Sequence, residues 1–100
     1  MNTFVAEKLP EIKNIFLKYN SKSAYLFGSA SKNNFTDSSD VDFLFTFDEN
    51  LDYEKYSDNY FALQNELEKL LERKIDLVAE KTVKNIYLLE SINQSKINIL

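Results

Sequence analysis

The sequence predicts an α+β fold in which helices pack on one face of a small mixed sheet of about three strands. Short apolar stretches, in which successive side chains would point to opposite faces of a strand, are separated by longer segments. In these segments the apolar residues recur every three or four positions. The resulting order is helix, strand, strand, helix, strand, helix. Because 100 residues, of which 44% are hydrophobic, suffice for one modest core, we expect a single domain over residues 1–100.

In the first half of the chain, a helix is predicted to begin at Pro10, since proline lacks an N–H and fits the first turn of a helix. The preceding residues, 2–9, are compatible with another helix. Turn residues then lead into a strand at 23–27. A polar run without periodicity follows, and a second strand is predicted from Asp40 to about Phe47.

The second half begins with the longest predicted helix, from about Asp52 to Glu72, whose tyrosine and leucine side chains form one apolar stripe. A short third strand is predicted at 74–79. Thr82 is a candidate N-cap for a last helix, and the tail NQSKINIL is compatible with either a strand or a frayed end.

Composition excludes several kinds of site. The chain has no cysteine and no histidine, which excludes disulfides, thiolate-bound or histidine-bound zinc and a Ser-His-Asp triad. Its net charge of −4 and its single arginine argue against a general nucleic-acid-binding surface. No apolar run approaches the length of a membrane span and the N-terminus carries no signal-peptide core, so we expect a cytoplasmic protein.

Asp40 and Asp42 are predicted to share one face of the second strand, because residues two positions apart in a strand point the same way. Val41 and Phe43 take the opposite, apolar face. Two like charges side by side repel each other, and burying them is costly unless a cation joins them. Mg²⁺, a hard cation that prefers oxygen ligands, suits such a pair; ordinary solvated acids at a strand start are the alternative.

Gly28, the only glycine of the chain, precedes Ser29 at the end of the first strand. The pair is compatible with a tight turn that needs an unusual φ. It is equally compatible with a phosphate-binding turn, in which phosphates approach the bare backbone at Gly28 and the Ser29 hydroxyl donates a hydrogen bond. Asp76 is a third candidate, since a carboxylate among the apolar residues of a short strand requires a partner.

Taken together, the pair Gly28 and Ser29, the pair Asp40 and Asp42, and the later strand residue Asp76 resemble the nucleotidyltransferase superfamily typified by DNA polymerase β. Within it, the chain is most similar to the minimal nucleotidyltransferases (MNT). The resemblance covers nearly the whole chain and implies the polymerase β-like core. It implies that Gly28 and Ser29 bind the nucleotide phosphates. Asp40, Asp42 and Asp76 are then the catalytic residues and bind two Mg²⁺ ions, with Asp76 also able to help deprotonate the acceptor.

The residues after the Gly-Ser pair depart from the pattern of many relatives, in which a small residue, a basic residue and a second glycine follow. Here Lys32 supplies a positive charge for a phosphate, but unlike an arginine guanidinium it cannot form two parallel hydrogen bonds to it. Asn33 stands near the position of the second glycine and tolerates a left-handed conformation. The resemblance thus implies a nucleotide-binding role for Lys32 and a slower turnover, with the triphosphate site retained.

The function that the resemblance implies is Mg²⁺-dependent transfer of AMP from ATP to a protein, with a tyrosine of a HEPN-domain toxin as the acceptor. Such a protein acts as the antitoxin of a type VII-like toxin–antitoxin pair. Two alternatives stay open: a catalytically silent module that neutralises a HEPN partner by contact, and a nucleotidyltransferase that modifies a small molecule. The three carboxylates disfavour the first, and the lack of room for a substrate domain disfavours the second.

Overall fold

The computed structural model describes residues 3–31 and 40–100, without the side chains of residues 29 and 30. Most of this part of the chain lies in helices and strands. In chain order the elements are α1 (Thr3–Glu7), α2 (Leu9–Lys18), β1 (Ser21–Phe27), a 3₁₀ turn called here the Gly28 turn (Gly28–Ser31), β2 (Val41–Phe47), α3 (Tyr53–Leu71), β3 (Ile75–Ala79), a second 3₁₀ turn (Glu80–Thr82), α4 (Ile86–Ser95) and β4 (Ile97–Asn98).

The strands form one sheet in the order β3-β2-β1-β4. β1 runs antiparallel to both β2 and β4, whereas β2 and β3 are parallel. A parallel pair needs a crossover connection, which α3 supplies. The predicted mixed sheet and α+β class are therefore confirmed, and the parallel pair sets the beginnings of β2 and β3 next to each other.

The main core lies between one face of this sheet and helices α1, α2 and α3. Val41, Phe43 and Phe45 of β2 are fully buried there, as the alternation of the strand predicts. Phe16 of α2 packs edge-on against Phe43, with ring centroids 5.3 Å apart. Each such side chain contributes roughly 1.5–3 kcal/mol when it is buried. The face of β2 opposite Asp42 therefore anchors the strand.

The other face of the sheet is partly covered too, so the prediction that helices pack on one face only is incomplete. Leu44 shares the face of Asp42, yet it is fully buried and lies outside the main core. Ile92 of α4 is also buried outside that core. Lys96, directly after α4, lies 4.3 Å from the ring centroid of Tyr25, and Tyr25 is the cross-strand partner of Leu44. The end of α4 thus belongs to this second face.

β4 makes four strands where about three were predicted. The tail pairs antiparallel with β1, through Ile97 opposite Leu26. The backbone N–H of Ile99 donates to the carbonyl of Ala24 over 2.9 Å, and the Ile99 side chain is buried in the main core. Burial of this side chain against β1 decides between the strand and the frayed end that the tail sequence left open.

The predicted starts of α2 and β1 differ from the observed ones by one or two residues. α2 begins at Leu9 rather than at Pro10, because the N–H of Ile12 reaches the carbonyl of Lys8 over 2.9 Å and closes one more turn. The missing N–H of Pro10 lies in that first turn, where no partner within the helix exists. β1 extends back to Ser21, past an irregularity in its pairing with β2.

The last helix begins at Ile86, and its N-cap is Asn85 rather than the predicted Thr82. The side-chain oxygen of Asn85 accepts hydrogen bonds from the N–H groups of Tyr87 and Leu88, over 2.9 and 3.2 Å. The Thr82 hydroxyl instead donates to the carbonyl of Ala79 over 2.7 Å and closes the second 3₁₀ turn. Both residue types are good caps, so backbone geometry decides which of them is used.

α3 is the longest helix, at 19 residues, and it buries one leucine-rich side. None of the helices within residues 3–31 and 40–100 combines the length and the apolar character needed to cross a membrane.

Replacing Asn85 by alanine is expected to lower the free energy of unfolding by about 1 kcal/mol, because α4 loses its side-chain cap. Thr82→Ala is the matched control and should cost less, since its exposed hydroxyl bond lies outside α4. Urea denaturation of both variants measures the difference. A larger loss for Thr82→Ala would show that α4 does not depend on the Asn85 cap.

Candidate active site

Asp42 and Asp76 occupy registered positions on the parallel strands β2 and β3. Side chains at registered positions of neighbouring strands point to the same face of a sheet. The Asp76 carboxyl lies close enough to raise the pKa of the Asp42 carboxyl, through a side-chain hydrogen bond and through its charge, and both residues are half-buried. The structure therefore brings two of the predicted site residues together, although the whole of α3 separates them in sequence.

Asp40 lies immediately before β2, so the prediction that the strand begins at this residue is one position early. It is half-buried, and its negative charge acts on Asp42. Asp40 thus contributes to the electrostatics of the pair from the approach to the strand.

The pKa of the Asp42 carboxyl is raised from its ordinary value of 3.8 to about 6. Burial is the largest cause, followed by the hydrogen bond with Asp76 and by the charges of Asp76 and Asp40. A hydrogen bond between two carboxyl groups requires a proton on one of them. Without a cation, the pair therefore holds a proton at a pH where an isolated aspartate is ionised.

Gly28 ends β1 beside this pair, since Phe27 is the cross-strand partner of Asp42. Its φ of 74° lies in the left-handed region that favours glycine. A Cβ at this position would overlap a carboxylate oxygen of Asp42 and would lie 3.3 Å from its carboxyl carbon. The tight-turn interpretation is thus confirmed. The same geometry brings the bare backbone of Gly28 against the Asp42 carboxylate, and phosphate binding at this turn stays a prediction.

The Gly28 turn is closed by a residue that the sequence analysis did not single out. The hydroxyl of Ser31 donates to the carbonyl of Gly28 over 2.7 Å. A serine three residues after a turn-forming glycine is the signal that predicts this bond, because serine hydroxyls often close local turns. The side chain of Ser29 and all of Lys32 and Asn33 lie outside the described residues, so their predicted roles stay predictions.

Residues 10–100 match the family described as polymerase beta, nucleotidyltransferase. The chain belongs to this nucleotidyltransferase family. A relative from Methanocaldococcus jannaschii, named "Putative protein adenylyltransferase MJ1379", is 40% identical over 82 residues, which cover 82% of this chain and 80% of the relative.

Solved structures show the same fold. One, titled "Structure of putative minimal nucleotidyltransferase", has a TM-score of 0.74 at 22% identity and covers 93% of this chain and 90% of its own. A second contains a tri-AMPylated Shewanella oneidensis HEPN toxin in complex with an MNT antitoxin. It has a TM-score of 0.57 at 19% identity and covers 92% of this chain and 71% of the matched one. The resemblance to the minimal nucleotidyltransferases is therefore confirmed.

The carboxylates of this nucleotidyltransferase fit a divalent cation in the type of donor they offer. Asp42 and Asp76 lie side by side, and the pKa of Asp42 is raised by burial first and then by the neighbouring carboxyl groups, whose negative charge a cation would offset. Within residues 3–31 and 40–100, no three acidic side chains are arranged to hold a metal ion as they stand. Asp42 and Asp76 therefore lie together, whereas Asp40 does not join them in a metal-binding group of three carboxylates in this arrangement.

A cavity of about 220 Å³ lies elsewhere in the nucleotidyltransferase domain. Its lining includes Phe47 at the end of β2, Ala79 at the end of β3, and Tyr56 and Lys81. Its lining residues Phe45 and Phe47 lie on the face of β2 opposite Asp42, and Ala79 lies three residues after Asp76, about 10 Å along β3 at 3.3 Å per residue. The cavity is thus not part of the candidate active site.

The cation-free protein is expected to lose stability as the pH rises from about 4 through about 6. In this window the folded chain holds the Asp42 proton more tightly than the unfolded chain, so raising the pH favours unfolding. Asp42→Asn should remove the decline and raise the melting temperature in chelator at about pH 8. Asp58→Asn, on the exposed side of α3, is the control for net charge. An equal gain from both variants would contradict a specific effect of the carboxylate pair.

Gly28→Ala is expected to destabilise the fold by roughly 1–3 kcal/mol, through the positive φ and the overlap with Asp42. In an Asp42→Ala background, Gly28→Ala should lower the free energy of unfolding by a smaller amount. The carboxylate oxygens that a Cβ would overlap are then absent, and only the cost of the positive φ remains. Denaturation of the four proteins gives this coupling energy. Strictly additive costs would show that Gly28 and Asp42 do not contact each other.

Proposed function

We propose that this nucleotidyltransferase transfers AMP from ATP to a hydroxyl of a protein acceptor, with Mg²⁺, and acts as the antitoxin of a toxin–antitoxin pair. The observation that carries the proposal is the carboxylate pair Asp42 and Asp76, held against the glycine turn that ends β1. Clustered carboxylates beside a half-buried glycine turn suit a nucleotide triphosphate with its cation.

In the proposed reaction, the acceptor oxygen forms a bond to the α-phosphorus of ATP. The bond from that phosphorus to the oxygen that bridges to the β-phosphate breaks, and pyrophosphate leaves. The proton of the acceptor hydroxyl passes to a carboxylate, for which Asp76 is the candidate. Mg²⁺, when bound, stabilises the negative charge on the attacking and leaving oxygens.

Each residue of the site has a proposed role. Asp40, Asp42 and Asp76 hold the metal, with two ions expected. Their negative charges disfavour a site without cations, and the raised pKa of Asp42 supports this assignment.

Three further residues are proposed to bind the nucleotide. The backbone of Gly28 approaches the phosphates, the hydroxyl of Ser29 donates to one of their oxygens, and Lys32 supplies a positive charge. The backbone conformation of the Gly28 turn supports the first role. The other two rest on the sequence pattern.

A protein acceptor is favoured by the position of the site. The carboxylates lie on the sheet, away from the cavity at the other ends of β2 and β3. The half-buried carboxylates lie outside that cavity, and a hydroxyl of another macromolecule is the acceptor that we propose for them. The similar proteins support the same acceptor class, since one is named as a protein adenylyltransferase and another is an MNT antitoxin bound to an AMPylated HEPN toxin. We therefore propose a tyrosine of a HEPN-domain toxin as the acceptor.

The test is AMP transfer from labelled ATP and Mg²⁺ to a HEPN-domain protein expressed with this chain, followed by intact mass measurement of both chains. Asp76→Asn should lower transfer by roughly a hundredfold or more, because it removes a metal ligand and a candidate base. Glu80→Gln, after the far end of β3, is the matched control and should transfer normally.

Binding of the HEPN-domain protein should persist in both variants, and its measurement separates the alternatives. A wild-type chain that neutralises the toxin by binding and adds no nucleotide would establish the silent binding module instead. Normal transfer by Asp76→Asn would remove Asp76 from the site.

A further inference from the structure

Three side chains of α3, one helical turn apart, bond to the backbone of β3. The Tyr60 hydroxyl donates to the carbonyl of Leu77 over 3.3 Å. The Gln64 amide donates to the carbonyl of Ile75 over 3.2 Å. The N–H of Ile75 donates to a carboxylate oxygen of Glu68, also over 3.2 Å. Positions four residues apart lie on one side of a helix, so all three hydrogen bonds to β3 come from the same side of α3.

These bonds fall on the side of β3 that has no neighbouring strand. β3 is an edge strand, and the carbonyl of Lys74 points to β2, where it accepts from the N–H of Val41 over 3.1 Å. Since backbone groups alternate in direction along a strand, those of Ile75 point away from β2. Ile75 is fully buried, so its N–H and carbonyl need partners within the protein. Glu68 and Gln64 supply both.

The residue held in this way directly precedes Asp76. Hydrogen bonds to both the N–H and the carbonyl of Ile75 fix the position and the orientation of the β3 backbone relative to α3, directly before Asp76. The Asp76 carboxyl must then stay beside that of Asp42 in spite of their repulsion.

We propose that Glu68 and Gln64 are positioning residues that hold Asp76 in place for metal-dependent nucleotidyl transfer. The inference rests on the proposed function for the role of Asp76. It concerns residues that touch neither nucleotide nor acceptor and that act through the backbone of Ile75. Small displacements of a metal-binding carboxylate are costly in rate, because such sites need their ligands within about 0.5 Å.

The variant that tests it is Glu68→Ala, which removes the acceptor for the Ile75 N–H. Glu68→Gln keeps a side-chain oxygen at the same place and should rescue the effect. The matched control is Glu66→Ala, on the same helix, whose carboxylate bonds to Lys18 and Tyr19 of the α2 region instead of to β3. It tests whether a general weakening of α3 packing has the same consequences.

Two measurements do not depend on transfer. The first is the amide exchange rate of Ile75, which should rise about tenfold in Glu68→Ala and stay near the wild-type rate in the other two variants. The second is the Mg²⁺ concentration at the midpoint of the thermal shift, measured with α,β-methylene-ATP, which resists cleavage at the reacting bond. This midpoint should rise about tenfold in Glu68→Ala alone.

Where the wild-type protein transfers AMP, Glu68→Ala should also lower kcat about tenfold with an unchanged KM for ATP, because the Gly28 turn is untouched. Failure of transfer in the wild type would overturn the proposed function without affecting the exchange and Mg²⁺ measurements. A wild-type Mg²⁺ midpoint in Glu68→Ala would overturn the positioning role. An equal rise of the Mg²⁺ midpoint in Glu66→Ala would overturn it too. So would a midpoint in Glu68→Gln that is as high as in Glu68→Ala.

Discussion

Parallel pairing of β2 with β3 places the carboxyl groups of Asp42 and Asp76 side by side, and much of the remaining structure holds this unfavourable arrangement in place. Repulsion and burial both oppose it, as the raised pKa of Asp42 records. The opposing stabilisation comes from the other face of β2, where Val41, Phe43 and Phe45 are fully buried. Alternation along β2 thus separates Asp42 from the side chains that pack in the main core.

The Gly28 turn adds a second constraint at the same point. Its backbone adopts a positive φ and approaches the Asp42 carboxylate so closely that a side chain has no room. Ser31 closes the turn by bonding back to Gly28. A site that binds phosphates and cations gains from such a turn, because bare N–H groups and carboxylates then lie on the same face of the sheet. The conformational cost falls on glycine, the residue that tolerates a positive φ most readily.

The two ends of the parallel pair differ in chemistry. The carboxylates and the glycine turn gather where β2 and β3 begin. The cavity lies where the strands end, among aromatic residues such as Phe47 and Tyr56. The chain belongs to a nucleotidyltransferase family, and one of its relatives is named as a protein adenylyltransferase. The acceptor proposed above, a hydroxyl of another protein, would meet the site at the carboxylate end of the two strands.

Much of the local structure was predictable from the residues. The period of apolar residues located α2, α3 and the first three strands to within one or two positions, because periodicity reports directly on burial. It also assigned Asp42 to the face opposite Phe43. Gly28 was recognisable as a turn residue from its place at a strand end. Thr82 was the predicted cap of the last helix, whereas the structure uses Asn85, because the backbone geometry and not the residue type decides between two good capping residues.

Sequence by itself determined which residues of β2 are apolar and which are acidic, and the resemblance to a nucleotidyltransferase supplied the expectation that Asp76 joins Asp42. The tertiary structure decided the rest: the register that pairs these two residues, the docking of β4, the burial of Leu44 and the bonds from α3 to Ile75. The physical reason is that periodicity is a local property, whereas strand partners depend on the path of the chain. That path is chosen by the sum of many weak contacts between distant segments, none of which is visible in a single stretch of sequence.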